Sequence, residues 1–381
     1  MPYAPHAEGP GAIQSSAQAH YLFRCNVDRP ASGLQSAAMC EVRNSVKFAL
    51  LGQPGGTKMS RATLIMMLLV QLALPWTAQA ALHPQIHTLK ITALVTNVAG
   101  NPHEGDGEWG YSALVEVDGH KILYDTGASP DLVMKNAAAL KIDLHDVEDV
   151  VLSHNHWDHV TGLMTLRREL MKANPRAMSR VHVGARIFEP RLNAAGENQN
   201  GLRAIKDEYP ATGGVFIVHD EPTEILPGVW ITGPVPRPHE EKNWFPGLSL
   251  DTATGRIEDN VPEDSALVFN TENGLVILSG CAHAGIVNIA DYSVTIVPGK
   301  SIMAVVGGLH LFSASEQTLA WTGESLKKYK VQYLLAGHCT GIEATYRLRE
   351  SLGLNRKNAA VSVVGSSFTL GSGIDPRYLA Q

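Results

Sequence analysis

Two kinds of apolar periodicity alternate along most of the chain, and together they predict a domain that mixes strands with helices. Short apolar runs predict strands at residues 91–95, 113–117, 122–124, 150–153, 181–183, 266–270, 275–278, 302–306, 331–335 and 360–364. Longer stretches of helical composition predict helices at residues 131–140, 163–172, 316–328 and 343–352. The dipeptides Asp118-Gly119 and Asn273-Gly274 separate neighbouring strands and predict β-hairpins. The pattern therefore indicates one α/β domain with hairpins, without internal repeats.

The first 80 residues do not share this pattern. A basic start at Lys58 and Arg61, an apolar run over residues 64–74 and the tripeptide Ala78-Gln79-Ala80 are typical of a secretory signal peptide. The run has eleven residues, whereas a helix that spans a bilayer needs about 20. We therefore expect no stable membrane anchor after the signal is cleaved, although a buried helix would also explain the apolar run.

These features divide the chain into three parts. Residues 1–58 are rich in Ala, Ser, Gly and Pro without a sustained apolar period, so we expect a disordered extension. Because signal peptides begin at the N-terminus, translation is expected to start at Met59, which would make this extension an artefact of start-codon choice. Residues 59–80 are then the signal peptide, and residues 81–381 form an exported domain, either periplasmic or secreted.

Composition narrows the classes of function. The chain has 381 residues, of which 44% are apolar and 18% charged, which is enough for a sizeable core and unlike a disordered protein. Acidic residues outnumber basic ones 37 to 31, and the net charge of −6 argues against a nucleic-acid partner. Four cysteines are too few for a disulfide scaffold. We expect a small-molecule substrate, and the oligomeric state stays open.

Histidines concentrate directly after one predicted strand, in the segment Ser153-His154-Asn155-His156-Trp157-Asp158-His159. A loop that leaves a sheet can turn several of these side chains toward one point. Imidazole combined with carboxylate suits zinc, iron or manganese, so the segment predicts a metal site. A solvated histidine-rich loop is the alternative interpretation.

The spacing His154-x-His156-x-Asp158-His159 resembles the signature of the metallo-β-lactamase superfamily. Thirty residues upstream, Tyr124-Asp125-Thr126-Gly127 resembles the first motif of that superfamily. The resemblance implies an α/β fold of a particular kind, a single-domain, four-layer αββα sandwich. It also implies two metal ions, which this family holds between its two β-sheets.

The same resemblance implies roles for five residues. His154 and His156 would bind the first metal, and Asp158 and His159 would bind the second. Asp125 would accept a hydrogen bond from a ligand histidine or from the loop backbone and fix its orientation. A helix cap or a turn residue is the alternative interpretation of Asp125.

Each metal needs further ligands from the second half of the chain. Residues 280–285 and 337–341 are strand-to-loop turns in which glycines relax the backbone beside a histidine. His283 and His338 are therefore the remaining candidate ligands, and His338 matches the last ligand of the superfamily in chain order. Cys281 stands where most members have a bridging Asp. Three possibilities stay open: Cys281 bridges the two metals, solvent alone bridges them, or there is no bridge. A small buried cysteine of the core is the alternative interpretation of Cys281.

Several motifs resemble one branch of the superfamily, which includes the archaeal enzyme that joins a dihydropterin to ribofuranosylaminobenzene phosphate and many uncharacterised hydrolases. These motifs lie at residues 232–237, 280–288, 307–311 and 337–341. The resemblance spans residues 87–370, which makes residues 81–381 the predicted catalytic domain. His310 ends one of the motifs and is a candidate ligand, general acid or substrate contact, with a core histidine as the alternative.

The resemblance implies hydrolysis of an ester, lactone, amide or phosphoester. Two divalent metals, zinc first and iron or manganese as alternatives, would supply hydroxide near neutral pH and polarise the substrate. Asp158 would orient that hydroxide, so Asp158 and His310 are the candidate catalytic residues. Arg237 could hold an anionic group, and Trp244 with Phe245 could stack on a ring. Surface charge and loop packing are the alternatives for these three.

Three other functions fit the same residues. The archaeal enzyme suggests a pterin-type C–N bond-forming transferase, but its phosphorylated substrates are cytoplasmic and the predicted export argues against it. Iron in the same fold would permit redox chemistry, which zinc cannot supply. A non-catalytic module for metal binding or partner recognition would show no turnover on any ester.

Overall fold

The computed structural model describes residues 83–101 and 103–378, which fold around two large β-sheets. The predicted extension at 1–58 and signal peptide at 59–80 lie outside the described residues and stay predictions. The strands are β1 Leu89–Val95, β2 Ser112–Val117, β3 His120–Tyr124, β4 Asp149–Leu152, β5 Arg180–Gly184, β6 Arg191–Leu192, β7 Val215–His219, β8 Thr223–Leu226, β9 Val229–Ile231, β10 Ser249–Thr252, β11 Gly255–Glu258, β12 Ala266–Thr271, β13 Gly274–Ser279, β14 Ile302–Gly308, β15 Tyr333–Gly337, β16 Ala359–Val361, β17 Ser367–Thr369 and β18 Gly373–Asp375.

The described helices are mostly short. They are α1 Leu132–Ala139, α2 Trp157–Val160, α3 Leu163–Leu170, α4 Leu202–Lys206, α5 Glu208–Ala211, α6 Ile286–Ile296, α7 Glu316–Lys327 and α8 Ile342–Ser351, with a 3-10 turn at His338–Thr340. Across residues 83–101 and 103–378, no helix has the length and apolar character needed to cross a membrane.

The first sheet has eight strands in the order β18-β17-β1-β2-β3-β4-β5-β7, and the second has seven in the order β16-β15-β14-β13-β12-β9-β8. A small third sheet has the order β11-β10-β6. Strands β3, β4, β5 and β7 run parallel to one another, and so do β13, β14, β15 and β16. The central parallel strands are buried on both faces, which explains their continuous apolar sequences, whereas β7 at the edge of the first sheet is partly exposed.

Successive residues of the central strands point into different layers of the core. In β13, Ile277 packs with α6, α7 and α8, whereas the next residue, Leu278, packs between the two sheets. In β4, Val150 packs with α1 and α3, whereas Val151 packs between the sheets. The order of layers is therefore helices, sheet, sheet, helices, and the predicted αββα sandwich is confirmed.

Both predicted hairpins are present. Asp118 and Gly119 join β2 to β3 with φ angles of 43° and 83°, the positive values that a type I′ turn needs. Between β12 and β13 the turn residues are Glu272 and Asn273, and Gly274 opens β13 with φ of 129°. The hairpin signal therefore identified the right place, with the second turn one residue earlier than its Asn-Gly pair.

Helix α6 was missed by the sequence patterns, and residues 157–160 form α2 where a loop was expected. The sequence of α6 is rich in β-branched residues, which favour strands over helices. Its buried side, which includes Ile286, Ile289 and Ala290, packs against the second sheet. This burial outweighs the low helix propensity. The strand predicted at 331–335 begins two residues later, at Tyr333.

The carboxyl ends of the parallel strands from both sheets meet at one edge of the sandwich. The loops that follow β3, β4, β13, β14 and β15 contain Asp125, residues 153–159, residues 280–285, His310 and His338, respectively. Ligands bind at this edge in open α/β sheets. The candidate ligands, although far apart in the chain, are therefore neighbours in space.

Candidate metal centre

Two histidines of the loop after β4 meet a third from the second sheet. His154 Nε2 lies 3.0 Å from His156 Nδ1 and 3.2 Å from His283 Nε2. His154 and His283 are fully buried, and His156 is partly exposed. His154 Nε2 thus lies close to a nitrogen of each of the other two histidines, and we call these three residues the first ligand group.

Asp158 and His159 meet His338 in the same way and form the second ligand group. The one-turn helix α2 begins at Trp157 and carries Asp158 and His159 on its first turn. His159 Nε2 lies 3.2 Å from His338 Nε2, and Asp158 Oδ2 lies 3.3 Å from that same atom. Each group thus takes two side chains from the loop after β4 and one from the second sheet.

The donor atoms of both groups fit a transition metal. Neutral imidazoles that face one another through their lone pairs need a proton or a cation between them. Nitrogens bound to a tetrahedral zinc ion at about 2.0–2.1 Å stand roughly 3.3 Å apart. The nitrogens here are 3.0–3.2 Å apart. Imidazole with carboxylate suits zinc, iron or manganese, so the residues fit two divalent ions.

Cys281 lies between the two groups and is buried. Its Sγ is 3.3 Å from His159 Nε2. It lies within 4.8 Å of donors in the first group and of donors in the second. Cys339 Sγ is 3.0 Å away, and burial together with this second sulfur raises the pKa of the Cys281 thiol. The position suits a ligand shared by two ions, and the bridging role stays a prediction.

Asp125, fully buried in the loop after β3, contacts the second group directly and the first through Ser153. Its Oδ2 accepts hydrogen bonds from His159 Nδ1 and from Ser153 Oγ, each at 2.7 Å, and its Oδ1 accepts the Ser153 N–H at 2.7 Å. Ser153 Oγ in turn lies 2.9 Å from His154 Nδ1. With the proton of each ring on Nδ1, the Nε2 lone pairs of His154 and His159 face the centre.

Two more histidines are oriented by oxygen atoms of distant loops. His283 Nδ1 contacts the carbonyl oxygen of Asn243, and His338 Nδ1 lies 3.2 Å from Asn97 Oδ1. Both therefore present Nε2 to the centre, as His154 and His159 do. Orientation by outer partners is typical of metal-binding histidines and raises their basicity.

The first ligand group is neutral at physiological pH. Burial, followed by the charges of neighbouring histidines, lowers the pKa of His154 and of His283 well below the usual value. Burial likewise lowers the pKa of His156 to about 4. Metal ligation requires neutral imidazole, so a cation would not have to displace protons from this group.

In the second ligand group, nearby carboxylates favour a second proton on His159, which a bound cation would displace from Nε2. Burial alone would lower the pKa of His159, but the charges of Asp158 and Asp125 outweigh it and raise the pKa to about 9. Burial would raise the pKa of Asp158, but His159 and His338 outweigh it and bring that pKa below the usual range. Asp158 is therefore ionised, and the two ligand groups differ in charge.

The loops of the centre contain strained backbone. Four residues with side chains adopt φ between 49° and 56°, namely Asp125, Ala282, His310 and His338. A left-handed conformation costs about 1–3 kcal/mol at a residue other than glycine. At Gly280 a Cβ would stand 2.2 Å from Ser153 Oγ, so only glycine fits there. Packing of the surrounding residues must stabilise these conformations, and no sequence pattern predicts them.

Two cavities open beside the ligand groups. One has a volume of about 850 Å³ and is lined in part by His310 and Trp244, and the other has about 580 Å³ and borders His156 and Trp157. The His310 ring centroid lies 4.5 Å from that of His283. Within the described residues, His310 Nδ1 has no hydrogen-bond partner. The His310 side chain thus lines the larger cavity, whereas its Nδ1 is buried and not exposed to it.

Arg237 and Trp244, the candidate substrate contacts, pack against each other. The guanidinium of Arg237 lies 5.4 Å from the Trp244 ring centroid, and its Nη2 donates to the carbonyl oxygen of Val261 at 2.8 Å. Trp244 Nε1 donates to Glu258 at 3.2 Å. Trp244 lines the larger cavity and Arg237 lines neither of the two. A substrate contact by either residue stays a prediction, and Arg237 is positioned to support the indole ring.

Several residues at the centre were not among the sequence candidates. They are Asn97, Trp109, Ser153, Asn243, Phe312 and Cys339. Ser153 and Cys339 each adjoin a predicted ligand, so adjacency could have identified them. Phe312 likewise follows His310 by two residues. The two asparagines and Trp109 stand in loops far along the chain from the histidines they contact. Only the fold brings those three to the centre.

An αββα sandwich with histidine and carboxylate donors at the carboxyl ends of its strands defines a class of metal-binding enzymes. A family model for the metallo-beta-lactamase superfamily matches residues 107–338, which include both ligand groups and Cys281. The chain belongs to the metallo-β-lactamase superfamily.

The similar proteins include a synthase, an uncharacterised protein and a metal-dependent hydrolase. The 7,8-dihydropterin-6-methyl-4-(beta-D-ribofuranosyl)-aminobenzene-5'-phosphate synthase of Methanocaldococcus jannaschii is 32% identical over 275 residues, 68% of this chain and 90% of the relative. An uncharacterised protein of that organism is 27% identical over 243 residues, 63% of this chain and 87% of the relative. The crystal structure of a metal-dependent hydrolase of the beta-lactamase superfamily is similar with a TM-score of 0.60 and 26% identity, covering 74% of this chain and 98% of that one.

Proposed function

We propose that this chain is a metal-dependent hydrolase that cleaves an ester, lactone, amide or phosphoester bond at a two-metal centre. The observation that carries the proposal is the convergence of two ligand groups, in which donor atoms of neighbouring side chains lie 3.0–3.3 Å apart. The hydrolase that shares 26% identity over 98% of its length supports hydrolysis as the type of reaction.

Two divalent ions would acidify water and polarise the substrate oxygen when bound by these groups. Asp158 is the carboxylate among the six ligands, and it is ionised because its pKa lies below the usual range. Its Oδ2 contacts His338, which leaves Oδ1 to accept a hydrogen bond from a water molecule and orient it. His310 lines the wall of the larger cavity and is the candidate general acid for the leaving group.

We propose zinc as the metal, because imidazole, carboxylate and a cysteine sulfur are its usual ligands in proteins. Asp125 and Ser153 contact the Nδ1 atoms of His159 and His154, so both histidines present Nε2 to the metal. The same donors would accept iron or manganese. Elemental analysis of the purified protein distinguishes the three.

The proposal is tested by metal analysis together with a panel of chromogenic esters, lactones, β-lactams and phosphodiesters. We expect about two zinc ions per chain and turnover of at least one class, lost on treatment with a chelator and restored by zinc. A fully metal-loaded protein that cleaves no member of the panel would contradict hydrolysis. Iron accompanied by oxygen consumption would favour redox chemistry instead.

A C–N bond-forming transferase is the second candidate. It is favoured by one observation, the 32% identity to the archaeal synthase over 90% of that enzyme. The metal-loaded protein would be incubated with a 7,8-dihydropterin and a ribofuranosylaminobenzene phosphate, and a joined product sought by mass spectrometry. Formation of that product without cleavage of any ester would replace the hydrolase proposal.

A further inference from the structure

Three exposed aromatic side chains lie beside the candidate metal centre and are not among its ligands. Trp109 lies in the loop before β2, Phe245 in the loop before β10 and Phe312 in the loop after β14. They are 46%, 62% and 42% exposed, respectively. An exposed group of large apolar side chains usually marks a binding surface. We call these three residues the aromatic cluster.

The cluster is continuous and touches the centre. The ring centroids of Trp109 and Phe312 are 5.7 Å apart, and those of Phe312 and Phe245 are 6.2 Å apart. Trp109 lies 5.3 Å from the His338 ring, while Phe245 and Phe312 lie 5.6 Å and 5.4 Å from the His310 ring. A molecule resting on the cluster would therefore lie next to a ligand histidine and to the candidate catalytic histidine.

The geometry of the rings favours a planar guest. Trp109 and Phe312 meet edge to face at 84°, and Phe245 is tilted by 49° to Phe312, so the three do not stack on one another. Aromatic rings attract further rings in offset-stacked or edge-to-face arrangements, at centroid distances of about 4.5–7 Å. All three rings are at least 42% exposed, which leaves ring surface free for such contacts.

Phe312 is also fixed in place. Its backbone N–H donates to the carbonyl oxygen of Cys339 at 3.2 Å. At Gly341, an added Cβ would stand 3.0 Å from the Phe312 Cα, so the two loops pack closely. Little conformational freedom is lost when a pre-positioned side chain binds a ligand, which favours affinity.

We propose that Trp109, Phe245 and Phe312 bind a planar aromatic ring of the substrate beside His338 and His310. The inference rests on the proposed function for the reaction, and it names the substrate class: an ester or phosphoester bonded next to an aromatic ring. A saturated ring would fill the same space without offering a π face. A second copy of this chain would cover the cluster from outside.

Binding of two matched probes to the metal-loaded protein tests the proposal. Phenylphosphonate and cyclohexylphosphonate carry the same anionic head on a six-carbon ring, and only the first ring is planar and aromatic. By isothermal titration calorimetry we expect phenylphosphonate to bind roughly three- to tenfold more tightly, the usual worth of an aromatic pair beyond buried area. Equal affinities, or no binding of phenylphosphonate at millimolar concentration, would overturn the proposal.

Leucine variants show which side chains cause the preference for phenylphosphonate. Phe312→Leu and Trp109→Leu should each bring the two dissociation constants closer together while leaving the weaker one nearly unchanged. Tyr346→Leu is the matched control, because Tyr346 has the same 42% exposure but lies on α8, where it packs with Arg349. The control should keep the full preference. A preference that survives in Phe312→Leu and Trp109→Leu would overturn the proposal.

Two further outcomes separate this inference from its alternatives. If Phe312→Leu changes the sedimentation coefficient and leaves the probe preference intact, the cluster is a contact between copies of the chain and the proposal is wrong. A preference for phenylphosphonate in a protein that cleaves nothing would contradict the hydrolase and support the ring site. Cleavage of esters without any preference would contradict the ring site alone.

Discussion

Buried histidines meet a carboxylate in two regions of the molecule. One is the candidate metal centre, and the other lies at the edge of the first sheet, where β4, β5 and β7 run side by side. At that edge, His182 Nδ1 lies 3.0 Å from His219 Nε2, and His182 Nε2 lies 3.2 Å from Asp149 Oδ1. These distances equal those within the ligand groups, so distance between histidines does not tell the two regions apart.

The difference lies in what else surrounds the histidines. Arg180 donates to both oxygens of Asp149, at 2.6 Å and 2.7 Å, and occupies that carboxylate. Across residues 83–101 and 103–378, the sets of three His or Cys donors that lie within 4.8 Å of one another each combine Cys281 with residues of the candidate centre, and none includes His182. A metal site therefore needs three or more donors that converge without a competing cation.

The largest effect is expected from Asp158→Ala. This change removes a ligand, and because residues that merely orient ligands are worth about 10–100-fold, we expect turnover to fall by at least about 100-fold. Steady-state rates measure the loss, and circular dichroism checks that the variant is folded. His182→Gln, which alters an equally buried histidine of the sheet edge, should stay active. Full activity in Asp158→Ala would refute the assignment.

His338→Ala should remove the ion of the second ligand group before it affects the first. His338 is the ligand that the second sheet supplies to this group, whereas His283 supplies the first. Elemental analysis should show metal content falling from about two ions per chain toward one. In His219→Gln the metal content should not change. Unaltered content in His338→Ala would contradict the ligand assignment.

Asp125→Asn should have an intermediate effect, about 10–100-fold in metal affinity. The substitution keeps the shape of the side chain but removes the charge that His159 contacts. Zinc titration against a competing chelator measures the affinity of each position. Ser153→Ala, which reaches only His154 of the ligands, should weaken binding less. If the two variants behave alike, Asp125 does not act mainly through His159.

The smallest effect is a pH dependence of stability at the sheet edge. Burial, followed by the charge of His182, lowers the pKa of His219 from 6.5 to about 4. The unfolded chain therefore takes up a proton at a higher pH than the folded one. The stabilisation is complete above pH 6.5 and declines as the pH falls toward 4, by on the order of 2 kcal/mol.

Thermal unfolding of the wild type and of His219→Gln between pH 7 and pH 4 tests this dependence. Folded Asp149 has a pKa of about 2, so proton uptake by this residue in the unfolded chain near pH 4 adds a small slope that both proteins share. The variant should lose less stability over this window than the wild type. Parallel curves for the two proteins would show that His219 is not the titrating group.

The sequence predicted the loop after β4 better than the rest of the centre. His154, His156, Asp158 and His159 stand within six residues, so their spacing alone suggests convergence on metal. The donors of the second sheet, His283 and His338, lie in separate loops and were predicted from the glycines beside each histidine, and His338 also from its order in the chain. The pair His182–His219 gave no signal, because 37 residues separate the two and only the pairing of β5 with β7 unites them.

Other features could not be predicted because they depend on the folded backbone. The left-handed conformations of Ala282 and His310 arise where neighbouring strands force a loop to turn sharply. Trp109 and Phe312 look like ordinary loop residues in the sequence, and their convergence follows from the meeting of loops from both sheets. Periodic patterns describe strands and helices well, whereas a functional centre is built from the irregular segments between them.

The two hairpins offer a practical consequence for attaching the protein to other materials. Asp118 and Gly119 lie at the opposite end of β3 from Asp125, and Glu272 and Asn273 lie at the opposite end of β13 from the loop that begins at Gly280. Five or six strand residues separate each turn from the reactive edge, a span of about 17–20 Å. A dye, a tether or a solid support coupled at either turn would leave the cavities beside the ligand groups open to solvent.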